Sequence, residues 1–308
     1  LAKILKNDTE GFASLIDLLA DRGSNKNNSV ICLETTGSYS EKICYYLLAK
    51  GYSVWSEAPH KISKTFQKQT KNDKVSACQI SEYCYRYFDK FKCFEYHDEL
   101  VEQIRALLVV REQLIKQSTA FNSILHVFKR KYHQTEAANT ILINKIEENK
   151  ESIKMIDKQI VDIINDSDKY GPTASSLKKI PGIGMLFIAN IIVITNGFTK
   201  EFNYKKLASY IGICPHEFSS GTSVYRKPKS TGYGPARLRK LLYLASMSVR
   251  THNRNFHNYF ERKVAEGKNK HLILNNIANK LLRIVCVIIK NGTDYSDNYM
   301  SVHPKFLK

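Results

Sequence analysis

The spacing of apolar and polar positions takes three characters along the chain. Near the start, Asp8 or Thr9 can cap a helix whose apolar side is Phe12, Leu15, Ile16, Leu18 and Leu19. SVICL at 29–33 is a short apolar run between Asn27, Asn28 and Glu34, the pattern of a buried strand. Ile43, Tyr46, Leu47 and Leu48 follow at helical spacing until Gly51 stops the helix. YSVWS at 52–56 then predicts a second strand, closed by Ala58 and Pro59. Strand, helix, strand in this order predicts a parallel pair with a right-handed crossover. Residues 60–72 are basic and pass from loop towards helix, and a further helix is predicted over 75–88.

From 99 to 132 the apolar residues recur as Leu100, Ile104, Leu107, Leu108, Leu114, Ile115, Phe121, Ile124, Leu125 and Phe128, which predicts one long amphipathic helix. A second runs over about 135–164. There Ile146, Ile153, Ile156, Ile160 and Ile163 keep heptad spacing, with Asn149 as a polar interruption. Two long helices with a short polar join predict an antiparallel hairpin, a spacer or dimer arm without chemistry of its own. From 170 to 300 no strand alternation stands out. The region reads as helices with Gly- and Pro-rich joints, ending in a basic amphipathic helix over 270–290 and a polar tail from Asn291.

Composition narrows the partners. Lys and Arg number 47 against 29 Asp and Glu, a net charge of +18. Such an excess points to a polyanion, nucleic acid first and an anionic membrane surface as the rival. No apolar run reads as approaching the roughly 20 residues that span a bilayer, and no secretion signal is visible. The expected setting is therefore the cytoplasm, on DNA. The seven cysteines are scattered without a CxxC pair, as free thiols in a reducing compartment would be. The chain opens on Leu1, close to its first helix, and this start predicts that something upstream is missing.

Four stretches could carry chemistry. In LKKIPGIGMLFIANIIV, 177–193, Pro181 breaks a helix and Gly182 and Gly184 shape a tight turn before the next one. This is the helix-hairpin-helix pattern, which seats a phosphate on backbone N–H groups. A plain corner between two helices is the alternative. In ICLETTGSY, 31–39, Glu34 ends a strand, where ligands and metals gather in open α/β sheets. It is either a Mg²⁺ ligand or a helix-capping acid. Asp73 lies in a basic stretch at a helix start and is either a second metal ligand or an N-cap, a role that Asn72 also suits. Last, YRKPKSTGYGPARLRKL at 225–241 places Ser230 on a glycine-bearing loop among Arg226, Lys227, Lys229, Arg237, Arg239 and Lys240. The hydroxyl is either an activated nucleophile aimed at a phosphodiester or one hydrogen-bond donor in a DNA-backbone clamp.

These motifs, taken in order, resemble the DEDD transposases of the insertion-sequence one-ten family, relatives of the Piv DNA invertases. The N-terminal part of the resemblance is E-T-T-G-S-Y (34–39), Pro59 with Lys64 and Phe66, and K-N-D-K-V-S-A (71–77). The rest is Leu100 with Arg105, Leu107 and Arg111, the I-P-G-I-G turn, L-A-S-Y-I-G-I-C-P (207–215), S-G-T-S-V (220–224) and K-S-T-G-Y-G-P-A-R-L-R-K-L-L-Y (229–243). The resemblance implies an α/β plus all-α fold in three parts: a truncated RNase-H-like (RuvC-like) domain over 1–97, a coiled-coil hairpin over 98–168, and a helical transposase domain with the helix-hairpin-helix over 169–308. It implies recombination of DNA through a covalent phosphoserine at Ser230, with Mg²⁺ held by Glu34 and Asp73. It also implies a homo-oligomer, dimer or tetramer, and in one branch a guiding bridge RNA. The sequence departs from the pattern at two acids. The fourth acid position holds Ser76, and the first acid belongs to a strand that would precede Leu1. Two alternatives therefore stand beside the recombinase: a decayed remnant that only binds nucleic acid, and a junction nuclease using the acids with water.

Overall fold

In the computed structural model, which describes residues 3–66, 72–96, 98–133, 135–199, 203–220, 224–230 and 232–296, the first two apolar runs become a parallel two-stranded sheet. Helix α1 (Thr9–Ala20) is capped by Asp8, whose carboxylate accepts from the Gly11 N–H at 2.9 Å. Strand β1 (Val30–Glu34), helix α2 (Ser38–Ala49) and strand β2 (Ser53–Glu57) follow. β1 pairs with β2 in parallel register from Val30↔Ser53 to Glu34↔Glu57. Helices α3 (Pro59–Ser63) and α4 (Asp73–Arg86) complete the region. α4 starts two residues before the predicted 75, because the Asn72 side chain accepts from the Val75 N–H at 2.8 Å and so sets the cap.

The two-residue period of the strands sorts their side chains into two small clusters. Ile31, Leu33 and Val54 pack with Cys44, Leu47 and Tyr52 on the side of α1 and α2. Val30, Cys32 and Trp55 pack with Ile62, Ile80 and Tyr83 on the side of α3 and α4. This region, Leu1–Tyr96, is one of two compact units; His97–Lys308 is the other.

In the second unit the long pattern becomes α5 (Glu99–Phe128) and α6 (Glu136–Asn165). Arg111 meets Asp157 through Nε at 2.6 Å and Nη2 at 3.0 Å, and Asn149 donates to the Ser118 hydroxyl at 3.2 Å. As the numbers rise on one helix they fall on the other, so the pair is antiparallel, and Ser118 is what the polar Asn149 was placed to meet. At the base of the hairpin Val101, Ile104, Leu108, Ile156, Ile160 and Ile164 enter one continuous core with the helices that follow. Those are α7 (Gly171–Lys178), α8 (Met185–Ile194), α9 (Tyr204–Ile211), α10 (Ala236–His252), α11 (Arg254–Ala265) and α12 (Lys270–Asn291). Asp98 rivets the base: it caps α5 through the Leu100 N–H at 3.0 Å and accepts from Lys169 and the Tyr170 hydroxyl, each at 2.8 Å.

Two expectations for the second unit are corrected. The region is not wholly helical: β3 (Pro215–Ser220) and β4 (Val224–Ser230) form an antiparallel hairpin between α9 and α10. Their sequences carry Pro, His, Lys and Ser rather than an apolar alternation, so the pairing rests on backbone hydrogen bonds that leave no periodic trace. Second, α12 is long and apolar enough, by length and composition, to cross a membrane. It is instead a core helix, with Ile273, Ile277, Leu281, Leu282 and Val285 buried.

Candidate functional site: a carboxylate cleft and a serine at a strand end

In the first unit, β1 has no strand partner on the edge away from β2 among the described residues. That edge lines an open cleft of about 1280 Å³ with Glu34 from β1, Asp73, Ser76 and Cys84 from α4, and Ser40 from α2. The cleft thus gathers Glu34, Asp73 and Ser76 on one surface. Neither acid caps a helix by its side chain. The α2 cap is Gly37, without a side-chain bond, and the α4 cap is Asn72. Asp73 is exposed and Glu34 half-buried.

A third carboxylate stands beside them that sequence reasoning passed over. Glu57 pairs in register with Glu34, and parallel register partners point to the same face of a sheet. Glu57 is neutralised locally: it accepts from Lys61 at 2.9 Å and from the Ala58 N–H at 2.9 Å. Burial raises its carboxyl, but the bonds from Lys61 and Ala58 and the Lys61 charge outweigh this, and the net shift is downward. The signal lay in the parallel between ICLE and VWSE, two strands ending in the same acid. Among the described residues no group of three or more His, Cys, Asp or Glu converges on one point. Two carboxylates on an open cleft still suit a hard cation that completes its shell with water and phosphate oxygens.

In the second unit Ser230 is the last residue of β4, not part of a free loop. It pairs in register with Pro215, and its side chain is exposed. The chain reaches β3 through the αL residue Gly212, φ 78°, which closes α9. The next residue is pinned by α12: Asn275 and Asn279 donate to the Ile213 carbonyl at 3.0 and 3.3 Å. Beyond Ser230 the backbone lies directly on α9. A Cβ on Gly234 would sit 1.9 Å from the Tyr210 carbonyl oxygen, and one on Gly212 would sit 2.2 Å from that of Tyr233. Only glycine permits this approach from either side.

The cations around the serine divide. Arg239 Nη1 donates to the carbonyls of Ile211, Tyr233 and Gly234 at 2.8, 2.9 and 3.2 Å. Arg237 Nη1 turns to Glu112 at 3.2 Å and to the Leu108 carbonyl at 3.3 Å. Burial and the nearby Arg111 lower the pKa of Arg237, against the raising effect of Glu112 and Asp157. Lys240 is exposed. The backbone of Arg226, Lys227 and Lys229 runs in β4, and their side chains lie outside the described residues.

The turn between α7 and α8 holds Gly182 and Gly184 apart in role. Gly182 packs on Ala245 and Ser248 of α10, whereas Gly184 is the N-cap of α8 with open space around it. The first N–H groups of α8 therefore have no side-chain cap, as an anion seat requires.

Comparison with known proteins places the chain in a class. Residues 1–155 match a DEDD transposase model, described as "Transposase", and residues 174–261 match one described as "Transposase IS116/IS110/IS902 family". The class is that of DNA recombinases. The chain is 26% identical to the pilin gene-inverting protein of Moraxella lacunata over 297 residues, 94% of this chain and 88% of that protein. The pilin gene-inverting protein of Moraxella bovis matches to the same extent, 26% over 297 residues. An insertion element IS110 uncharacterized 43.6 kDa protein of Streptomyces coelicolor is 27% identical over 124 residues, 40% of this chain and 30% of that protein. The chain belongs to the IS110 transposase family. That family generally uses a divalent metal.

Proposed function

We propose that this protein recombines DNA by transesterification at Ser230, with Glu34 and Asp73 holding a divalent cation, Mg²⁺ by chemistry. In the strand-breaking step the Ser230 Oγ–P bond forms as the phosphodiester P–O bond to the departing deoxyribose oxygen breaks. The serine proton leaves to a base or water, and the departing oxygen takes one up. Rejoining reverses the step on a new deoxyribose hydroxyl, so no outside energy source enters. The cation, when bound, offsets the negative charge that builds on the phosphoryl oxygens. Arg226, Lys227, Lys229 and Lys240 hold the flanking phosphates, and the Gly182–Gly184 turn with the α8 N-terminus takes a further phosphate as a helix-hairpin-helix.

The observation that carries this reading is the exposure of Ser230 at a pinned strand end inside the most basic stretch of the chain. The first unit fits as an RNase-H-like body whose cleft carries the second and third family acids. The outer half of the α5–α6 hairpin leaves Ile124, Val127, Ile141 and Ile143 exposed, a surface suited to a second copy. A guide RNA fits the same cationic surfaces. The test is incubation with Mg²⁺, RNA transcribed from the flanks of its gene, and DNA duplexes from those flanks. A covalent protein–DNA adduct is expected and must vanish in Ser230→Ala.

Ser76 in place of a carboxylate favours a second reading, a protein that binds DNA without breaking it. It predicts steeply salt-dependent binding and intact strands under every condition. A single cleaved product from the purified protein would sink it.

A further inference from the structure

We propose that Arg239 is a positioning residue for Ser230: it straps the backbone that follows the serine onto the C-terminal end of α9 and so fixes where the hydroxyl points. The inference rests on the reading of Ser230 as the nucleophile.

The geometry is specific. One nitrogen, Arg239 Nη1, collects three carbonyls from two separate segments: Ile211 on α9, and Tyr233 and Gly234 beyond the serine. Ile211 is in the last turn of its helix, where carbonyls lack an intrahelical donor. A cation at that end also complements the helix dipole. The same two segments touch backbone to backbone at Gly212 and Gly234, where a single added carbon would fall 2.2 and 1.9 Å from the opposing oxygens. Two closely apposed backbones with outward carbonyls repel unless a donor bridges them. Arg239 is that bridge.

The serine is then held from both sides. Ahead of it, the ladder to Pro215 leads back to Ile213, whose carbonyl is gripped by Asn275 and Asn279 of a buried helix. Behind it, Arg239 closes the strap. A nucleophile attacking phosphorus must be kept within a fraction of an ångström of its line of approach, and a shift of about 1 Å can cost ~100-fold in rate. The strap answers that need without touching substrate. It also gives Arg239 a different task from the cations that hold DNA. Nη1 is committed to carbonyls, and the salt dependence of binding tests whether Nε or Nη2 also meets a phosphate.

Three measurements on the full chain decide the matter, using wild type, Arg239→Gln and Gly234→Ala. Hydrogen exchange at Gly212 and Ile213, whose N–H groups donate to the Ala208 carbonyl at the end of α9, should quicken in both variants while α10 keeps its protection; unchanged exchange overturns the strap. Binding to a flank-derived duplex should keep its affinity and salt slope; a slope shallower by about one in Arg239→Gln marks a phosphate contact instead. Adduct formation should fall about 100-fold in both. Gly234→Ala removes no charge, so it must reproduce the losses if position is the cause. Arg239→Lys keeps the charge with fewer donors, guards against a folding defect, and should exchange at an intermediate rate. A wild type that forms no adduct, or a Ser230→Ala protein that does, defeats the nucleophile reading; the exchange result still decides the strap.

Discussion

The two units bury apolar surface in different ways. The C-terminal one builds a single continuous cluster in which α8 is apolar nearly all round and α12 contributes a long buried face. The N-terminal one splits its apolar residues between the two sides of a two-stranded sheet, each side holding only a few fully buried residues. Two strands are marginal without helices packed on them, and here one strand edge is left open to the cleft. The comparison shows how differently the candidate residues are anchored. Ser230 follows a segment pinned by α12 at Ile213, while Glu34 and Asp73 lie in the unit whose apolar residues are split between two small clusters.

Four measurements break or sharpen this contrast. The largest effects come from core truncation, because Leu47 and Leu281 are both fully buried. Each should lose about 2–5 kcal/mol on change to alanine, but in different transitions. Trp55 is the chain's single tryptophan and lies in the N-terminal unit, so its fluorescence reports that unit alone. Leu47→Ala should move the fluorescence transition and leave the main helical circular dichroism transition in place; Leu281→Ala should do the reverse. Coincident shifts in both variants would show one cooperative body.

Next in size is Asp98→Ala, expected to cost roughly 2 kcal/mol in the helical transition through loss of the α5 cap and of the Lys169 and Tyr170 bonds. Burial raises the Asp98 carboxyl, but Lys169, Tyr170 and the Leu100 N–H together bring it below its ordinary value. The folded state therefore holds fewer protons than the unfolded state in that interval. The stabilisation is complete above the ordinary, unfolded carboxyl value and is lost as pH falls through the lower folded one. Acid titration of the wild type should show this loss and the variant should not.

A smaller effect is expected at Lys240, where exposure leaves the charge free for phosphate. Lys240→Gln should flatten the slope of log affinity against log salt by about one, weakening all sequences alike. The smallest effect belongs to Glu57→Gln, about 1 kcal/mol on the fluorescence transition, because Lys61 is half exposed and water replaces part of the lost pairing. A loss several times larger would mean that Glu57 organises the cleft.

Much of this was written in local pattern. The strands at 29–33 and 52–56, the long hairpin with its Asn149 interruption, the Asp8 and Asn72 caps and the α12 amphipathicity all follow from residue spacing, because neighbours in sequence are neighbours in these elements. The family followed too, from short motifs in fixed order. Glu34, Asp73 and Ser230 could be named as candidates, since acids at element ends and a serine among cations carry their chemistry in their type. What spacing could not supply was the partner of each. The β3–β4 hairpin is held by backbone pairing that polar residues allow but do not announce. Glu57 acquires its meaning only by standing beside Glu34 in a parallel register. Arg239, one cation among six in sequence, differs from the rest because Ile211 and Gly234 are brought together from distant positions. Residue type and period determine local elements and available chemistry; only the packing of remote backbones decides which charge meets which carbonyl, because that depends on contacts that no stretch of sequence contains by itself.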